Sequence, residues 1–310
     1  MSAFVDRIAA APVTWGVDGS PGWGLILPRD RVVEEMKSLG LSAMELGPDG
    51  FLPSDPEELN AYLSENGLRV IGGWVPMAMA FQDLFDADVD YLHRACRQFQ
   101  LAGADVLILG PVWDLLGYEK RGVLDAGEWA TFFANLSVVD EVASSFGLRT
   151  ALHQHVGTVV EDMSDLQRVL DNSDVSLCVD TGHMMSTGID PVAVVTQAAD
   201  RVAHVHLKDV QVRLANMVLS GETPFRTACL DGLFQPLGKG DVDLAGVIST
   251  LEAAGYAGWY TIEQDCSLSE IPPPGTGPVE DCAISLDYLK ELAASNFVST
   301  STLKAAHDKH

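Results

Sequence analysis

The sequence predicts an α/β fold in which eight parallel strands close into one barrel, and a repeated segment is the first evidence for it. Five segments share one layout, in which an amphipathic helix ends at a glycine and an apolar strand follows at once, as in LSENG-LRVIGGW and ASSFG-LRTALH. Their glycines are Gly40, Gly67, Gly103, Gly147 and Gly255. Glycine in this place adopts the left-handed conformation that ends a helix. Helix followed directly by strand, when repeated, gives parallel strands joined by crossover helices.

The number of repeats is the second observation. Eight strand candidates can be assigned, at residues 8–13, 42–46, 68–74, 105–109, 148–153, 175–180, 202–207 and 258–263. Helical patterns lie between them, among others at residues 29–39, 56–66, 87–101, 128–146 and 244–254. Eight β/α units in about 300 residues predict a TIM (β/α)8 barrel. A doubly wound open sheet is the alternative, and the lack of a G-x-G-x-x-G motif after the first strand weakens its dinucleotide-binding form.

The predicted barrel is a single domain that spans residues 1–310. Its core is expected at about residues 8–294, and a C-terminal tail at residues 295–310. Two long loops are expected near the C-terminal strands, at residues 210–241 and at residues 267–278, the latter containing PPPGTGP. Hydrophobic residues make up 47% of the chain, which is ample for one large core.

Composition excludes some functions. The net charge of −25 argues against nucleic acid and against an anionic membrane surface, since both are bound through a surplus of Lys and Arg. The five cysteines are scattered and form no C-x-x-C, which is typical of free thiols in a reducing cytoplasm. The N-terminus lacks the pattern of a signal peptide, and no apolar run approaches 18 residues. We therefore expect a cytoplasmic protein with a small-molecule substrate, as a monomer or a homo-oligomer.

Polar residues collect where the predicted strands end. In a barrel these carboxyl ends line the active site. The residues in question are Trp15, Glu45, Trp74, His153, His155, Asp180, His183, His206, Lys208, Asp209 and Glu263. Five of the eight histidines lie between residues 153 and 206, in or just after three successive strands. A single histidine there is more often a satisfied core residue, but a group of imidazoles and carboxylates at one mouth favours a bound divalent cation.

The spacing of four of these residues supports a metal site. His153 and Asp180 are 27 residues apart, and Asp180 and His206 are 26 apart, each about one β/α unit. Glu263 follows 57 residues after His206, a unit that carries the long insertion. One ligand from each of the last four strands would converge on one point. Two imidazoles and two carboxylates suit Mn²⁺ best, with Co²⁺ or Zn²⁺ as alternatives, rather than Ca²⁺ or Mg²⁺.

Four motifs in order resemble those of the xylose-isomerase-like TIM barrels. They are VDTGHM at residues 179–184, HVHLKD at 204–209, PLGKGDVD at 236–243 and YTIEQD at 260–265. Within this family, APVTWG near the N-terminus and LHQHVGT at 152–158 are most similar to the inosose dehydratases. The resemblance implies that Asp180, His206 and Glu263 bind a metal and that His183 contacts substrate. It also implies that GKGDVD forms the turn that opens the seventh helix of the barrel. From its position in this motif, we expect Asp241 to cap that helix.

One departure from the family pattern bears on the reaction. Most of the family's isomerases and epimerases carry glutamate where this chain has His153, and there two metal-bound glutamates act on opposite faces of the substrate. With one of these bases missing, an epimerase would be handicapped. Elimination of water needs only one base at carbon and one acid at the leaving hydroxyl. His153 therefore favours a lyase.

These observations predict a metal-dependent dehydratase (hydro-lyase) that acts on a small polyhydroxy ketone, such as an inosose (2-keto-myo-inositol), through a metal-stabilised enolate. Glu263 or His155 is expected to take the proton, and Lys208 or His183 to assist departure of the hydroxyl. Candidate substrate contacts are Glu45, Trp15, Trp74 and His183. These candidate residues also have structural explanations. The tryptophans could pack in the core, and Lys208 could pair with Asp209.

Other functions stay open at this point. A sugar isomerase or epimerase would use the same metal site, with His155 in place of the missing glutamate. A lyase acting on keto-glycosides would share the enolate chemistry. A DNA-repair endonuclease is opposed by the net charge of −25 and by the lack of a three-metal ligand set. A non-catalytic protein that binds a metal or a sugar would be distinguished by a turnover assay.

Overall fold

The computed structural model describes residues 4–113, 118 and 122–307, and its centre is a closed barrel of eight parallel strands. The barrel strands are β1 (Ile8–Ala10), β2 (Ala43–Glu45), β3 (Arg69–Pro76), β4 (Val106–Gly110), β5 (Arg149–His153), β6 (Ser176–Asp180), β7 (Val202–Leu207) and β10 (Tyr260–Ile262). They pair in sequence order, and β10 closes the ring between β7 and β1. The predicted TIM barrel is therefore confirmed.

Helices surround the barrel between successive strands. They are α1 (Arg29–Ser38), α2 (Pro56–Asn66), α3 (Gln82–Ala102), α4 (Ala126–Ser145), α5 (Met163–Asn172), α6 (Thr181–Ser186), α7 (Pro191–Ala198), α8 (Val212–Leu219), α9 (Phe225–Leu230), α10 (Leu244–Ala254) and α11 (Pro278–His307). Among the described residues, no helix is long and apolar enough to cross a membrane.

The glycines of the repeated segment end their helices as predicted. All five have positive φ, from 63° at Gly67 to 84° at Gly255. Only glycine adopts this region without a steric penalty from a Cβ atom, so each residue stops its helix and turns the chain into the next strand. At the other end of α2, the Asp55 carboxylate accepts hydrogen bonds from the backbone N–H groups of Glu57 and Glu58. The local sequence thus sets both ends of this helix.

Alternation along the strands separates the barrel interior from the layer beneath the helices. Ala151 of β5 and Cys178 of β6 face inward and pack in a small apolar cluster with Ile108 of β4. Because side chains of a strand alternate between its two faces, the inward face recurs two residues later, at His153 and Asp180. The apolar floor of the barrel therefore continues directly into a polar layer at the carboxyl ends of the strands.

Three elements differ from the sequence prediction. The first strand ends at Ala10 rather than at residue 13, because Pro12 begins a 3₁₀ turn that runs to Trp15. Residues 210–241 are not only loop: they contain α8, α9 and a short antiparallel pair of strands, β8 (Asp209–Val210) and β9 (Phe234–Gln235). The backbone of α11 continues as helix to residue 307, where a tail was expected from residue 295.

Candidate active site

A cavity of about 470 Å³ opens at the carboxyl ends of the barrel strands. Its polar wall contains Asp18, Glu45, Asp49, Tyr118, His153, His155, His206, Glu263 and Asp265. Its apolar wall includes Trp23 and Trp74, together with Phe225, which α9 of the insertion brings to the site. A volume of several hundred Å³ with a few convergent polar groups is typical of a small-molecule site.

The four predicted metal ligands meet at the base of this cavity, and we call them the ligand cluster: His153, Asp180, His206 and Glu263. His153 Nε2 lies 3.1 Å from His206 Nδ1 and 3.2 Å from Asp180 Oδ2. His206 Nδ1 lies 3.4 Å from Asp180 Oδ2 and 2.8 Å from Glu263 Oε2. One donor atom from each of the last four barrel strands, or from just beyond its end, therefore points to a common centre.

The ligand cluster fits a divalent transition metal. Donor atoms around a tetrahedral ion at about 2.0–2.1 Å lie about 3.3 Å apart, close to the separations seen here. Glu263 Oε2 is buried and, among the described residues, accepts no hydrogen bond of good geometry, although His206 Nδ1 lies 2.8 Å away. Burial lowers the pKa of His153 to about 4, so its imidazole is neutral at pH 7 and carries a lone pair. Two carboxylates and two imidazoles crowded this closely form a donor set that is suited to a divalent cation.

Glu45 orients one of the ligands. Its Oε1 accepts hydrogen bonds from His206 Nε2 and His204 Nε2, each at 2.8 Å. Burial would lower the pKa of His206, but the nearby carboxylates outweigh it and hold that pKa well above its usual value. A metal that binds Nδ1 must therefore displace a proton from it, while the Nε2–H bond to Glu45 keeps Nδ1 turned towards the ligand cluster. Metal-binding histidines commonly have such a carboxylate on the opposite ring nitrogen. Glu45 lines the cavity, but its nearest partners are these histidines, so the structure gives it a positioning role in place of the simple hydroxyl contact expected from sequence.

Beside the ligand cluster lies a second group, which we call the lysine cluster: Lys208, His183 and Asp265. Lys208 Nζ lies 2.8 Å from Asp265 Oδ1 and 2.8 Å from His183 Nε2. It also contacts two members of the ligand cluster, Glu263 Oε1 at 2.9 Å and Asp180 Oδ2 at 3.2 Å. Burial would lower the pKa of Lys208, but the surrounding carboxylates outweigh it and hold that pKa well above its usual value.

The suggested pairing of Lys208 with Asp209 is wrong, because both residues are buried and have other partners. The Asp209 carboxylate accepts hydrogen bonds from the backbone N–H groups of Gly238, Gly240 and Val242. The GKGDVD turn thus wraps around an internal carboxylate. The prediction that Asp241 caps the following helix is wrong, because the Asp243 carboxylate accepts the hydrogen bond from the Gly246 N–H at the start of α10.

The rings of His155 and His183 lie against each other, with centroids 3.6 Å apart and planes tilted by 33°, but only His155 reaches the cavity wall. His155 Nδ1 lies 2.7 Å from the carbonyl oxygen of Val156. A carbonyl only accepts, so Nδ1 carries the proton and Nε2 carries the lone pair. His183 and Lys208 are buried behind His155 and Asp265 and do not line the cavity. The prediction that His183 contacts substrate directly is therefore corrected.

The two candidate tryptophans have different positions. Trp74 lines the cavity and packs edge-on against His153, with ring centroids 5.2 Å apart. Trp15 is completely buried, and its Nε1–H donates to Glu35 Oε2 at 2.9 Å. The prediction that Trp15 contacts substrate is therefore corrected: the 3₁₀ turn after β1 directs its indole towards α1.

Sequence reasoning missed Asp265 and Asp18. Asp265 follows Glu263 by two residues, the same spacing that relates His153 and His155, and alternation beyond the strand end could have indicated it. Asp18 lies in the loop after the 3₁₀ turn that ends at Trp15, where no periodicity points to it. It lines the cavity, and burial raises its pKa.

The fold and the ligand cluster define a barrel protein with donors for a divalent metal at its strand ends. Residues 33–292 match the xylose isomerase-like TIM barrel family, and the chain therefore belongs to that family. This confirms the resemblance carried by the four motifs.

Individual proteins agree with this assignment. The chain is 27% identical to the inosose dehydratase of Geobacillus thermodenitrificans (strain NG80-2) over 301 residues, 92% of this chain and 96% of the relative. Among solved structures, L-ribulose 3-epimerase superposes with a TM-score of 0.71 at 15% identity, covering 96% of this chain and 97% of the other. The IolI protein with a bound zinc atom superposes with a TM-score of 0.69 at 13% identity, covering 93% and 98%. The chain is thus similar to enzymes that act on small sugar-like molecules.

Proposed function

We propose that this protein is a metal-dependent dehydratase that removes water from a small polyhydroxy ketone of the inosose type. The observation that carries the proposal is the distribution of bases around the cavity. The ligand cluster has an imidazole, His153, where two-base isomerases need a second carboxylate. The other base at the wall is His155, which stands outside the ligand cluster. The inosose dehydratase relative supports the substrate class.

The ligand cluster would hold the metal, with Mn²⁺ as the first candidate and Co²⁺ or Zn²⁺ as alternatives, because two imidazoles and two carboxylates form a mixed nitrogen and oxygen site. When bound, the metal supplies Lewis acidity that polarises the ketone and acidifies the neighbouring C–H. The zinc atom in the structure of the IolI protein, a barrel of the same fold, supports a divalent ion here.

His155 is the proposed general base. Its Nδ1–H is committed to the Val156 carbonyl, so the lone pair of Nε2 is the one available to take the proton from carbon. Glu263 is the alternative base, since its Oε2 accepts no hydrogen bond of good geometry from the described residues, but it is also a proposed ligand. The β-hydroxyl leaves as water after it receives a proton. The lysine cluster is the proposed source: Asp265 lines the cavity and lies 2.8 Å from Lys208 Nζ, so a proton can pass from Lys208 through Asp265 to the leaving hydroxyl.

The reaction class can be tested by product analysis. The purified protein, loaded with Mn²⁺, is incubated with 2-keto-myo-inositol in deuterated water, and the products are followed by enone absorbance and NMR. We expect a dehydrated product, with little deuterium in recovered substrate. An epimer, or an aldose–ketose pair, that carries deuterium without loss of water would replace the lyase proposal with an isomerase.

A second candidate function, epimerisation, has one observation in its favour. His155 shares the cavity wall with Glu263, so two bases do face the same space. The deuterium experiment separates the two functions, because an epimerase must return a proton or deuteron to the opposite face of the same carbon.

A further inference from the structure

The atoms around the Lys208 ammonium resemble the ligands of a metal ion more than the surroundings of an ordinary lysine. Its Nζ lies between 2.8 and 3.2 Å from four atoms: Asp265 Oδ1, His183 Nε2, Glu263 Oε1 and Asp180 Oδ2. An ammonium group has three protons, so these four acceptors exceed what it can satisfy with separate hydrogen bonds. Each of the four atoms belongs to a group that binds divalent cations in proteins.

Two carboxylates connect this position to the ligand cluster. Glu263 places Oε2 beside His206 and Oε1 beside Lys208, so its two oxygens face the two positions separately. Asp180 Oδ2 contacts both His153 and Lys208. Carboxylates that lie between two cations in this way are typical of two-metal sites, in which the ions are about 3.5–4 Å apart.

The lysine side chain is fixed in this position by its own backbone and by its neighbours. The Lys208 N–H donates to Thr181 Oγ1 at 2.9 Å, and that hydroxyl donates to the Lys208 carbonyl at 2.7 Å. A Cβ on Gly182 would lie 2.4 Å from the Lys208 Cβ, so the glycine leaves room for the stem. The ammonium is therefore positioned by covalent geometry and packing.

We infer that Lys208 is a built-in cation that fills a latent second metal site formed by Asp265, His183, Glu263 and Asp180. The lysine limits the protein to one metal ion and supplies the second positive charge itself. A variant without the lysine side chain should gain a second ion. The inference rests on the proposed function only in taking the first ion, in the ligand cluster, as given.

Metal content is the readout, since it does not depend on turnover. Wild type and variants are equilibrated with excess Mn²⁺, desalted and measured by inductively coupled plasma mass spectrometry. We expect one ion per chain in the wild type and two in Lys208→Ala. Lys208→Met fills the same volume without charge and should stay at one. The double variant Lys208→Ala/Asp265→Asn should return to one, because it removes a donor from the latent site.

A second measurement identifies where the additional ion binds. Two Mn²⁺ ions bridged by carboxylates give an exchange-coupled electron paramagnetic resonance spectrum, whereas an ion bound elsewhere on the acidic surface does not. We expect coupling in Lys208→Ala and none in the wild type. If Lys208→Ala does not fold, Lys208→Ser, which leaves the same space, is measured in its place.

The outcomes separate this inference from the proposed function. A wild type with one ion and an alanine or serine variant with one ion would overturn the latent site alone. Two uncoupled ions in the variant would also overturn it. A wild type that binds no ion would instead overturn the proposed metal-dependent reaction.

Discussion

The ligand cluster and the lysine cluster lie side by side at the same end of the barrel, and they neutralise their carboxylates in different ways. In the lysine cluster, the ammonium of Lys208 compensates Asp265 from within the chain. In the ligand cluster, Glu263 Oε2 accepts no hydrogen bond of good geometry from the part of the chain that the structure describes, and the imidazoles of His153 and His206 crowd against carboxylates. An ion is the natural complement of the second arrangement, because buried charges need a partner. One region thus carries its own cation, whereas the other presents a donor set that fits a divalent ion.

The largest effect is expected from breaking the ligand cluster. His206→Ala removes a nitrogen donor at its centre, so metal affinity should fall by more than the roughly 10–100-fold that outer partners of ligands cost. Dehydratase activity should be lost with the metal. Calorimetric titration with Mn²⁺ and elemental analysis measure both the affinity and the content.

Two controls sharpen this test. His93→Ala removes an exposed histidine on α3 and should change nothing. Asp265→Asn alters only the lysine cluster and should retain one ion. If His206→Ala binds metal as tightly as the wild type, or if Asp265→Asn loses its ion, the division between the two clusters is wrong.

The sequence predicted the barrel and the ligand cluster because both depend on local order. The glycines at the helix ends set the β/α repeat, and one ligand per repeat follows from strand alternation. The lysine cluster was missed although Lys208 and Asp265 have the same 57-residue separation as His206 and Glu263. Both residues lie beyond the ends of their strands, at Leu207 and Ile262, where the pleat no longer fixes which way a side chain points. Trp15 was misplaced for a local reason: its position after β1 did not reveal that Pro12 starts a 3₁₀ turn, which directs the indole to Glu35.

A smaller effect, on rate alone, is expected from the residue between the clusters. His155 lies against His183 of the lysine cluster and faces the same cavity as Glu263. His155→Gln removes the proposed base but no ligand, so kcat should fall by about 10²- to 10⁴-fold while metal content stays at one. Steady-state kinetics and elemental analysis on the same preparation measure this. A fall in metal content, or unchanged kcat, would show that His155 is not the general base.

The smallest effect is expected beneath the ligand cluster, where Glu45 orients His206. Glu45→Gln keeps the shape and an oxygen that can accept from the His204 and His206 rings, but it removes the negative charge that makes His206 Nδ1 a stronger donor to the metal. Affinity for Mn²⁺ should therefore fall by about tenfold, near the lower end of what such partners contribute, which is about 1.4 kcal/mol of binding free energy.

Glu35→Gln is the matched control, because Glu35 is another buried carboxylate, hydrogen-bonded to Trp15 and Arg31, and does not contact the site. That variant can lower the melting temperature but should leave metal affinity unchanged. Equal affinities for the wild type and Glu45→Gln would mean that Glu45 serves the substrate or the barrel packing rather than the metal.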